Sequence, residues 1–447
     1  QSDIDEEKYH NKISASPWWR TCITMTTEVL GLAVIAMPEA SAKIGWLSLV
    51  VLVIALGFLA TWTGLLLRDI KLRHRKSIHE YSDVAKMMFG TAGGRIISFW
   101  MYISVFSEAA AQILTGGIAL VNITEGKQCL ALCISAAAFI GCLLTQLRTF
   151  HALTVVSIVG LVTIVIPLMT TVIALPLQNV NHRANAYAVA VVTDASFKDI
   201  FNAIMTVVFG YGGHVFYFAF MSEMKNPADF KKALFVSQSI TVTIFLLSAT
   251  LIYVYAGPTV EAPAVDSLES LNLRRLMHVF LLCHTVVVCA IAMITLMKSL
   301  YPILYSWKEY TIWTPQTAIK YLSLSSLLFI CGYVVVELIP FMDDFLAMVS
   351  AVTILPFTFI LPPLFTLIDK RRMITKEGRT PTRSESSYMF FCGAVVMGGV
   401  MLAFAGTTSA FMDIVDKYTK GGYGGPFTCA TEAYYPLPFP EEELRDR

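Results

Sequence analysis

Charged residues are scarce in this sequence, and their scarcity limits what the protein can be. Asp, Glu, Lys and Arg make up 15% of the 447 residues, whereas soluble globular chains carry about 25%. Because the net charge is only +1, the chain has no basic footprint for nucleic acid, and we expect no nucleic-acid partner. These proportions argue against a soluble enzyme and exclude a disordered chain.

Sequence signatures of catalysis are also missing. The chain has no G-x-S-x-G elbow, no P-loop, no H-E-x-x-H helix and no C-x-x-C-H haem sequence. Its nine cysteines form no C-x-x-C pair and no cluster with histidine at zinc spacing. We therefore expect neither an enzyme nor a bound cofactor or metal. Without a P-loop, transport by this chain would draw on an ion gradient or on the solute gradient.

Long apolar runs dominate what is present, because 56% of the residues are apolar. A membrane-spanning helix needs about 20 apolar residues, and continuous runs of this length recur, whereas a β-barrel would show alternating segments of about ten. The pattern predicts an all-α integral membrane protein embedded in the lipid bilayer. Its eleven transmembrane helices are predicted near residues 18–42, 45–67, 96–121, 129–147, 152–176, 199–221, 233–256, 276–297, 321–339, 345–368 and 388–412.

The predicted spans form one transmembrane domain, residues 18–412, flanked by polar or Pro/Gly-rich tails at 1–17 and 413–447. Lys and Arg are concentrated in alternate connections, most densely at 68–76 and 370–372. Because such loops stay in the cytosol, we expect a cytosolic N-terminal tail. With eleven spans, the C-terminal tail would then lie outside the cytosol.

Two predicted spans contain residues that interrupt helices. The first span carries Gly31 and Pro38, and the sixth carries the run FGYGGH at 209–214. Spans one and six each begin a set of five, and because five is odd the second set is inverted. Paired interruptions in inverted halves are typical of a secondary transporter that binds its substrate at the breaks. The alternative is that these glycines only permit close helix packing.

The same residues resemble the amino acid/auxin permease family, and most nearly its fungal neutral amino acid permeases. The first-helix pattern A-E-x-x-x-L-G-x-x-x-x-P appears, with differences, as TEVLGLAVIAMP at 27–38. The sixth-helix pattern appears as Gly213-His214 followed by MSEMKNPADF at 221–230, and YVYAG at 253–257 also fits. The likeness covers about residues 18–430.

This resemblance implies the LeuT-type fold, in which two inverted five-helix repeats are followed by one extra helix. It also implies amino acid transport in the plasma membrane, with the vacuolar membrane as the alternative. The sequence departs from the pattern at Ala33, where many members carry a second glycine. We expect this departure to change the shape of the substrate pocket.

An amino acid zwitterion needs partners for both of its charged ends. Free N–H groups at the start of a half-helix suit the carboxylate, so the candidates at the first break are Thr27, Gly31, Leu32 and Ala33. Unpaired carbonyl oxygens at the second break suit the ammonium group, so the candidates there are Phe209, Gly210, Tyr211 and Gly212. The two aromatic rings would close the pocket or, alternatively, pack in the core. No Lys or Arg lies deep enough to hold a second carboxylate, which predicts a neutral amino acid, small or aromatic.

Two carboxyl groups fall deep inside the predicted spans, Glu28 and Glu108. An ionisable group at that depth costs about 2.5 kcal/mol or more, so it is usually functional or paired. We therefore expect proton-coupled symport, with Glu28 as the main coupling residue, Glu108 as the second, and His214 as a relay partner. The alternatives are a protonated Glu28 that bonds to a neighbouring helix and a His214 that donates to a carbonyl freed by the break.

Further hypotheses remain beside these. His284 repeats the histidine argument more weakly, and the neighbouring Thr285 hydroxyl makes sodium the runner-up coupling ion. Cys129 and Cys429 both fall in segments predicted outside, where disulfides form, so we expect a bond between them. An amino acid sensor of the same fold would need a substantial cytosolic tail. A channel would need a charged ring or a filter loop, so both rank below a transporter.

Overall fold

The computed structural model describes residues 16–74, 78–146, 150–178, 187–260, 262–306, 309–310, 314–420 and 426–429. Within these ranges the regular structure is helical, apart from one isolated β-bridge between Ser16 and Met224. The all-α class predicted from the apolar runs is confirmed.

The helices that build the site follow one another with short connections. Polar caps start some of them, for example Ser196, whose side chain accepts from the backbone N–H of Asp199. In chain order they are α1 (Trp18–Val29), α2 (Leu32–Ile44), α3 (Trp46–Arg73), α4 (Tyr81–Ile123), α5 (Leu130–Thr145), α6 (Phe150–Ala174), α7 (Phe197–Phe209), α8 (Tyr217–Glu223), α9 (Phe230–Leu247), α10 (Tyr253–Ala256), α11 (Leu271–Leu304), α12 (Pro315–Leu338), α13 (Met342–Val349), α14 (Leu361–Lys376) and α15 (Arg383–Lys420).

Many of these helices are long enough to cross a bilayer. Nine apolar helical segments of the described chain reach that length, and the pair α1–α2 makes a tenth span that is bent by 46°. The remaining predicted span coincides with α5, whose 16 residues fall short of the roughly 20 that a bilayer requires. The structure thus has a multi-span helical architecture, and the count of eleven is not established.

Two helices extend beyond the predicted spans. The span predicted at 96–121 is part of α4, which begins at Tyr81 and kinks at Gly90, where φ is 78° and a side chain would be strained. Helix α15 continues past 412 to Lys420, into the predicted C-terminal tail. Residues 1–15, 421–425 and 430–447 of the two predicted tails lie outside the described residues.

The first and sixth spans run in opposite directions and pack side by side. Backbone hydrogen bonds join Ser16 to Glu223 and Lys225, so the start of α1 lies beside the end of α8. At the other end, α2 packs on α7. Each span therefore contributes one half-helix to each side of the membrane, as an inverted pair does.

The described part of the C-terminal tail is tied to the helices. A disulfide joins Cys429 to Cys129, the residue before α5. The backbone N–H of Phe427 donates to Glu337 Oε2, and its ring contacts Tyr333 on α12. The tail segment 426–429 is thereby held against α5 and α12.

Candidate functional site

The first break consists of Leu30 and Gly31, between α1 and α2. The N–H of Leu30 still donates to Thr26, whereas Gly31 has φ −85° and ψ −128°, outside the helical region. Among the described residues, no side chain caps the N-terminus of α2. Because the first N–H groups of a helix have no partner within it, this buried end offers donors and a positive dipole to a carboxylate.

The second break lies at Gly210 and Tyr211, after α7 ends at Phe209. A 3₁₀ turn from Gly212 to Phe216 follows, and α8 begins only at Tyr217. The segment from Phe197 to Glu223 is therefore irregular in its middle without the sharp bend of the first span. An interruption of the helical ladder frees carbonyl oxygens that a cation can use.

The two breaks touch each other. A Cβ atom placed on Gly210 would lie 3.1 Å from Cβ of Ala33 and 2.6 Å from Cε2 of Phe245. One placed on Gly213 would lie 3.3 Å from a methyl group of Val29. The irregular backbone of both spans therefore meets at one place, and Gly210 has no room for a side chain.

Polar side chains from two other helices converge on the first break. The position of a Cβ on Gly31 lies 3.5 Å from Nε2 of His284, on α11, and 3.6 Å from Nε2 of Gln112, on α4. The carboxyl groups of Glu28 and Glu108 are each 8% exposed, and their charges are close enough to interact. When the carboxyl groups of Glu28 and Glu108 are protonated, they give the first break a polar lining. When they are ionised, their negative charges create a strong electrostatic field there.

Several polar atoms of this lining have no hydrogen-bond partner among the described residues. Among the described residues, both carboxylate oxygens of Glu28, one of Glu108, the amide oxygen of Gln112 and Nε2 of His284 have no hydrogen-bond partner. Buried polar groups normally have partners, and groups without them mark a strained or functional site. The lining beside the first break is therefore equipped to bind a polar ligand or a proton.

Several residues predicted for the site point elsewhere. The Thr27 hydroxyl donates to the carbonyls of Ile23 and Ser157, in the contact between α1 and α6. The Tyr211 hydroxyl donates to the carbonyl of Val53 on α3, 2.8 Å away. Both side chains therefore join helices, although the backbone of Tyr211 belongs to the break.

His214 is also engaged in joining helices. Its Nε2 lies 3.0 Å from the Ala60 carbonyl and 3.1 Å from the Thr63 hydroxyl, both on α3. Its Nδ1 lies 3.2 Å from the carbonyl of Tyr211, the residue before the 3₁₀ turn. None of these hydrogen bonds, among the described residues, involves Glu28. The geometry favours the alternative in which His214 supports the break.

The remaining predicted residues divide between the two breaks. Leu32 is fully buried and Phe209 partly exposed. A Cβ on Gly212 would lie 3.0 Å from Ile354, in the π-helical turn after α13. Gln112 was not predicted at all, although its spacing of four from Glu108 places both on one face of α4.

A cavity lies beside α1 and α8. It lies between these helices and the second half of α11, and the pair Glu223–Lys298, 3.5 Å apart, lies at its wall. Its lining mixes hydroxyl groups with aromatic rings and includes Thr21, Thr24, Phe216, Phe220 and Thr295. The described residues on this side therefore enclose a space with a partly polar lining.

The opposite side is held by ion pairs between four helices. They join the end of α2, the start of α7, the start of α13 and the end of α15 through Glu39, Lys43, Lys198, Asp343, Asp344, Asp413, Asp416 and Lys417. The carboxylates of Asp343, Asp344 and Asp413 lie within 4.8 Å of one another, but lysine ammonium groups already take the place of a metal ion there.

Comparisons with known proteins agree with this arrangement. The sequence pattern of the family described as "Transmembrane amino acid transporter protein" matches residues 14–407. The N amino acid transport system protein of Neurospora crassa is 27% identical over 441 residues, covering 95% of this chain and 91% of that protein. Amino acid transporter AVT1I of Arabidopsis thaliana is 22% identical, covering 80% and 88%.

A solved structure shares the fold. The chain is similar to Mhp1, a nucleobase-cation-symport-1 family transporter in a closed conformation with bromovinylhydantoin bound. The TM-score is 0.51 at 14% identity, and the match covers 97% of this chain and 96% of Mhp1. The match concerns the arrangement of helices alone.

Proposed function

Because the chain belongs to the family of transmembrane amino acid transporters, we propose that it is a secondary active transporter that carries neutral amino acids together with protons. Its relatives are named as transport proteins and not as enzymes. Transport would proceed by alternating access, as one bundle of helices rocks against the other around a fixed site.

The contact between the two breaks carries this proposal. Gly210 lies against Ala33, so the start of α2, with its donors, and the second break, with its carbonyls, meet at one place. These are the groups that the carboxylate and the ammonium of one amino acid require. The cavity beside α1 and α8 supports a path on one side, and the ion pairs at α2 and α7 support closure on the other.

The charged groups near the first break favour an amino acid substrate whose side chain is neutral. Beside Gly31, the described side chains within reach are an imidazole and an amide, and the nearby charged groups are carboxyls. An acidic amino acid would bring a second carboxylate toward Glu28 and Glu108 with no Lys or Arg to balance it. We therefore propose small or aromatic neutral amino acids as substrates.

Protons are the proposed coupling ion because Glu28 and Glu108 are buried, close together and incompletely bonded. Two buried carboxyl groups at short distance resist being charged together. Binding or loss of a proton would thus accompany the entry of a substrate whose ammonium group changes the local charge.

Uptake into proteoliposomes tests the proposal. With radiolabelled alanine or phenylalanine and an acid exterior of one pH unit, we expect accumulation of up to about tenfold, because one unit is worth about 1.4 kcal/mol per proton. Glu28→Gln should lose this accumulation. Glu377→Gln, on an exposed connection paired with Arg379, is the matched control and should behave like the wild type.

Other outcomes would point to other functions. Accumulation driven by a sodium gradient alone would replace the proton by sodium. Binding of alanine without accumulation would indicate a sensor, and uptake that stops at equal concentrations would indicate a channel. An unchanged pH dependence in Glu28→Gln would remove Glu28 as the proton carrier.

We also propose that the protein lies in the plasma membrane with its N-terminus in the cytosol, because positively charged loops favour that orientation. The cavity beside α1 and α8 then opens toward the cytosol. Protease protection of reporters fused to each terminus, with fluorescence microscopy of the same cells, tests both points. Fluorescence confined to the vacuolar membrane would contradict the first point, and an N-terminal reporter that protease digests from outside intact cells would contradict the second.

A further inference from the structure

The imidazole of His284 is buried between three helices with one nitrogen bonded and one free. It is 0% exposed. Its Nδ1 lies 2.8 Å from the carbonyl of Gly160 on α6, and because a carbonyl only accepts, Nδ1 carries a hydrogen. In the neutral ring Nε2 is then an acceptor, and among the described residues it has no partner. This nitrogen faces Gly31, 3.5 Å from where a Cβ would be.

The groups around His284 are acidic or neutral. From α1 the backbone carbonyl of Glu28 and from α4 the amide of Gln112 lie beside Gly31, and the carboxyl groups of Glu28 and Glu108 interact with each other. From α6 the contact is the Gly160 carbonyl. The described residues of α5, which also packs on α11, have Cys133 and Cys142 as their titratable groups. Helix α12 also packs on α11 and carries Lys320, which bonds to Glu309, together with Tyr321, Cys331, Tyr333 and Glu337. Among the described residues, the atoms closest to a Cβ on Gly31 belong to an imidazole, an amide and a backbone carbonyl, and none belongs to a cation.

We propose that His284 is the third proton-binding group of the coupling site, acting with Glu28 and Glu108 beside the first break. This inference rests on the proposed proton coupling and adds the residue through which the proton is held next to Gly31. It assigns α11 a direct part in coupling, whereas the breaks themselves belong to the first and sixth spans.

The step is a simple transfer of one proton. The Nε2 lone pair accepts H⁺ from water on the loading side and becomes N–H, so the ring carries one positive charge. The Nδ1–H bond to the Gly160 carbonyl is kept. On the other side Nε2 gives the proton to water, and the neutral ring returns.

The test separates this inference from the proposed function. His284→Asn keeps an amide nitrogen near the Nδ1 position, which can still donate to Gly160, but it cannot take up a proton. Two measurements with radiolabelled alanine are needed in proteoliposomes: exchange of alanine for alanine at equal pH, and accumulation under one unit of pH gradient. His74→Asn, at the end of α3 and away from the breaks, is the matched control.

We expect His284→Asn to exchange alanine but to lose accumulation, falling from up to about tenfold to about equal concentrations. Its uptake should also lose the pH dependence that the wild type shows. Accumulation and a pH profile equal to those of the wild type would overturn the inference while leaving the proposed function intact. A wild type that neither exchanges nor accumulates would instead overturn the proposed function.

A second variant and a binding measurement guard against misfolding. His284→Gln places its amide further from the backbone, and both variants should remain monodisperse in detergent. In calorimetry with two buffers of different ionisation enthalpy, the wild type should take up protons when alanine binds, and the variants should take up fewer. Monodisperse variants that bind no alanine would show that His284 holds the substrate itself, which also overturns the inference.

Discussion

Lys43 and Asp343 are 300 residues apart in the chain, yet Nζ of the first lies 3.2 Å from Oδ2 of the second. This contact joins the end of α2 to the start of α13. Asp343 also forms an ion pair with Lys417, near the end of α15. Three helices are therefore held together on the side opposite the cavity.

We expect Lys43→Met and Asp343→Asn each to lower the melting temperature in detergent, because each leaves a partly buried charge with less compensation. The double variant should lose less than the sum of the two, with a coupling on the order of 2 kcal/mol for a direct contact. Thermal unfolding followed by intrinsic fluorescence measures this.

Lys232→Met is the matched control for this double-mutant cycle of Lys43 and Asp343. Lys232 is 65% exposed and pairs with Asp229 one turn away, and exposed pairs contribute little to stability. Its melting temperature should equal that of the wild type. Strictly additive losses in the Lys43–Asp343 cycle would mean that the contact does not hold α2 to α13.

Gly210→Ala tests the contact between the breaks. The new Cβ would lie 2.6 Å from the Phe245 ring, and such overpacking costs about 1–3 kcal/mol. We expect a lower melting temperature and loss of alanine exchange, with partial recovery when Phe245→Leu is added. Gly398→Ala, where nothing lies within 4 Å, should change neither property.

The disulfide between Cys129 and Cys429 predicts how many thiols can be labelled before and after reduction. Alkylation of the denatured, unreduced protein should label the seven free cysteines, and reduction should add Cys129 and Cys429. Mass spectrometry of the intact protein gives both numbers. Nine labels without reduction would show that the C-terminal tail is not bonded to the start of α5.

His214→Gln separates support of the break from proton transfer. Removing the ring takes away the one N–H that the neutral imidazole donates, to the carbonyl of Ala60 or of Tyr211, and a lost buried hydrogen bond costs about 0.5–1.5 kcal/mol. We expect a lower melting temperature with an unchanged pH profile of alanine uptake. A flattened pH profile at unchanged stability would restore His214 as a proton relay.

Hydropathy located the helices well because lipid admits only backbone whose polar groups are satisfied within the segment. The segment predicted at 276–297 lies within α11, and that at 199–221 lies within the span from Phe197 to Glu223. The ends of the helices were predicted less well. Helix α4 begins at Tyr81 because a capping box of Glu80 and Asp83 starts it, and such a start leaves no trace in hydropathy.

The candidate site was predicted in part. Glu28 and Gly31 stand out in the sequence because a carboxyl group and a glycine are unusual in an apolar run. The sequence does not show which way the side chains of Thr27, Tyr211 and His214 point, since a hydroxyl or an imidazole on a helix can face any neighbour. Gln112 and His284 reach the first break only through the tertiary packing that brings α4 and α11 beside Gly31.

The sequence by itself determined that this chain is helical, apolar enough to span membranes and interrupted at two glycine-bearing positions. These are local properties, because helix formation, transfer into lipid and the freedom of glycine depend on each segment alone. The tertiary structure decided that Gly210 rests on Ala33, that Lys43 meets Asp343 and that a free imidazole nitrogen faces Gly31. Such contacts join residues far apart in the chain, and they exist only once whole helices have packed face to face.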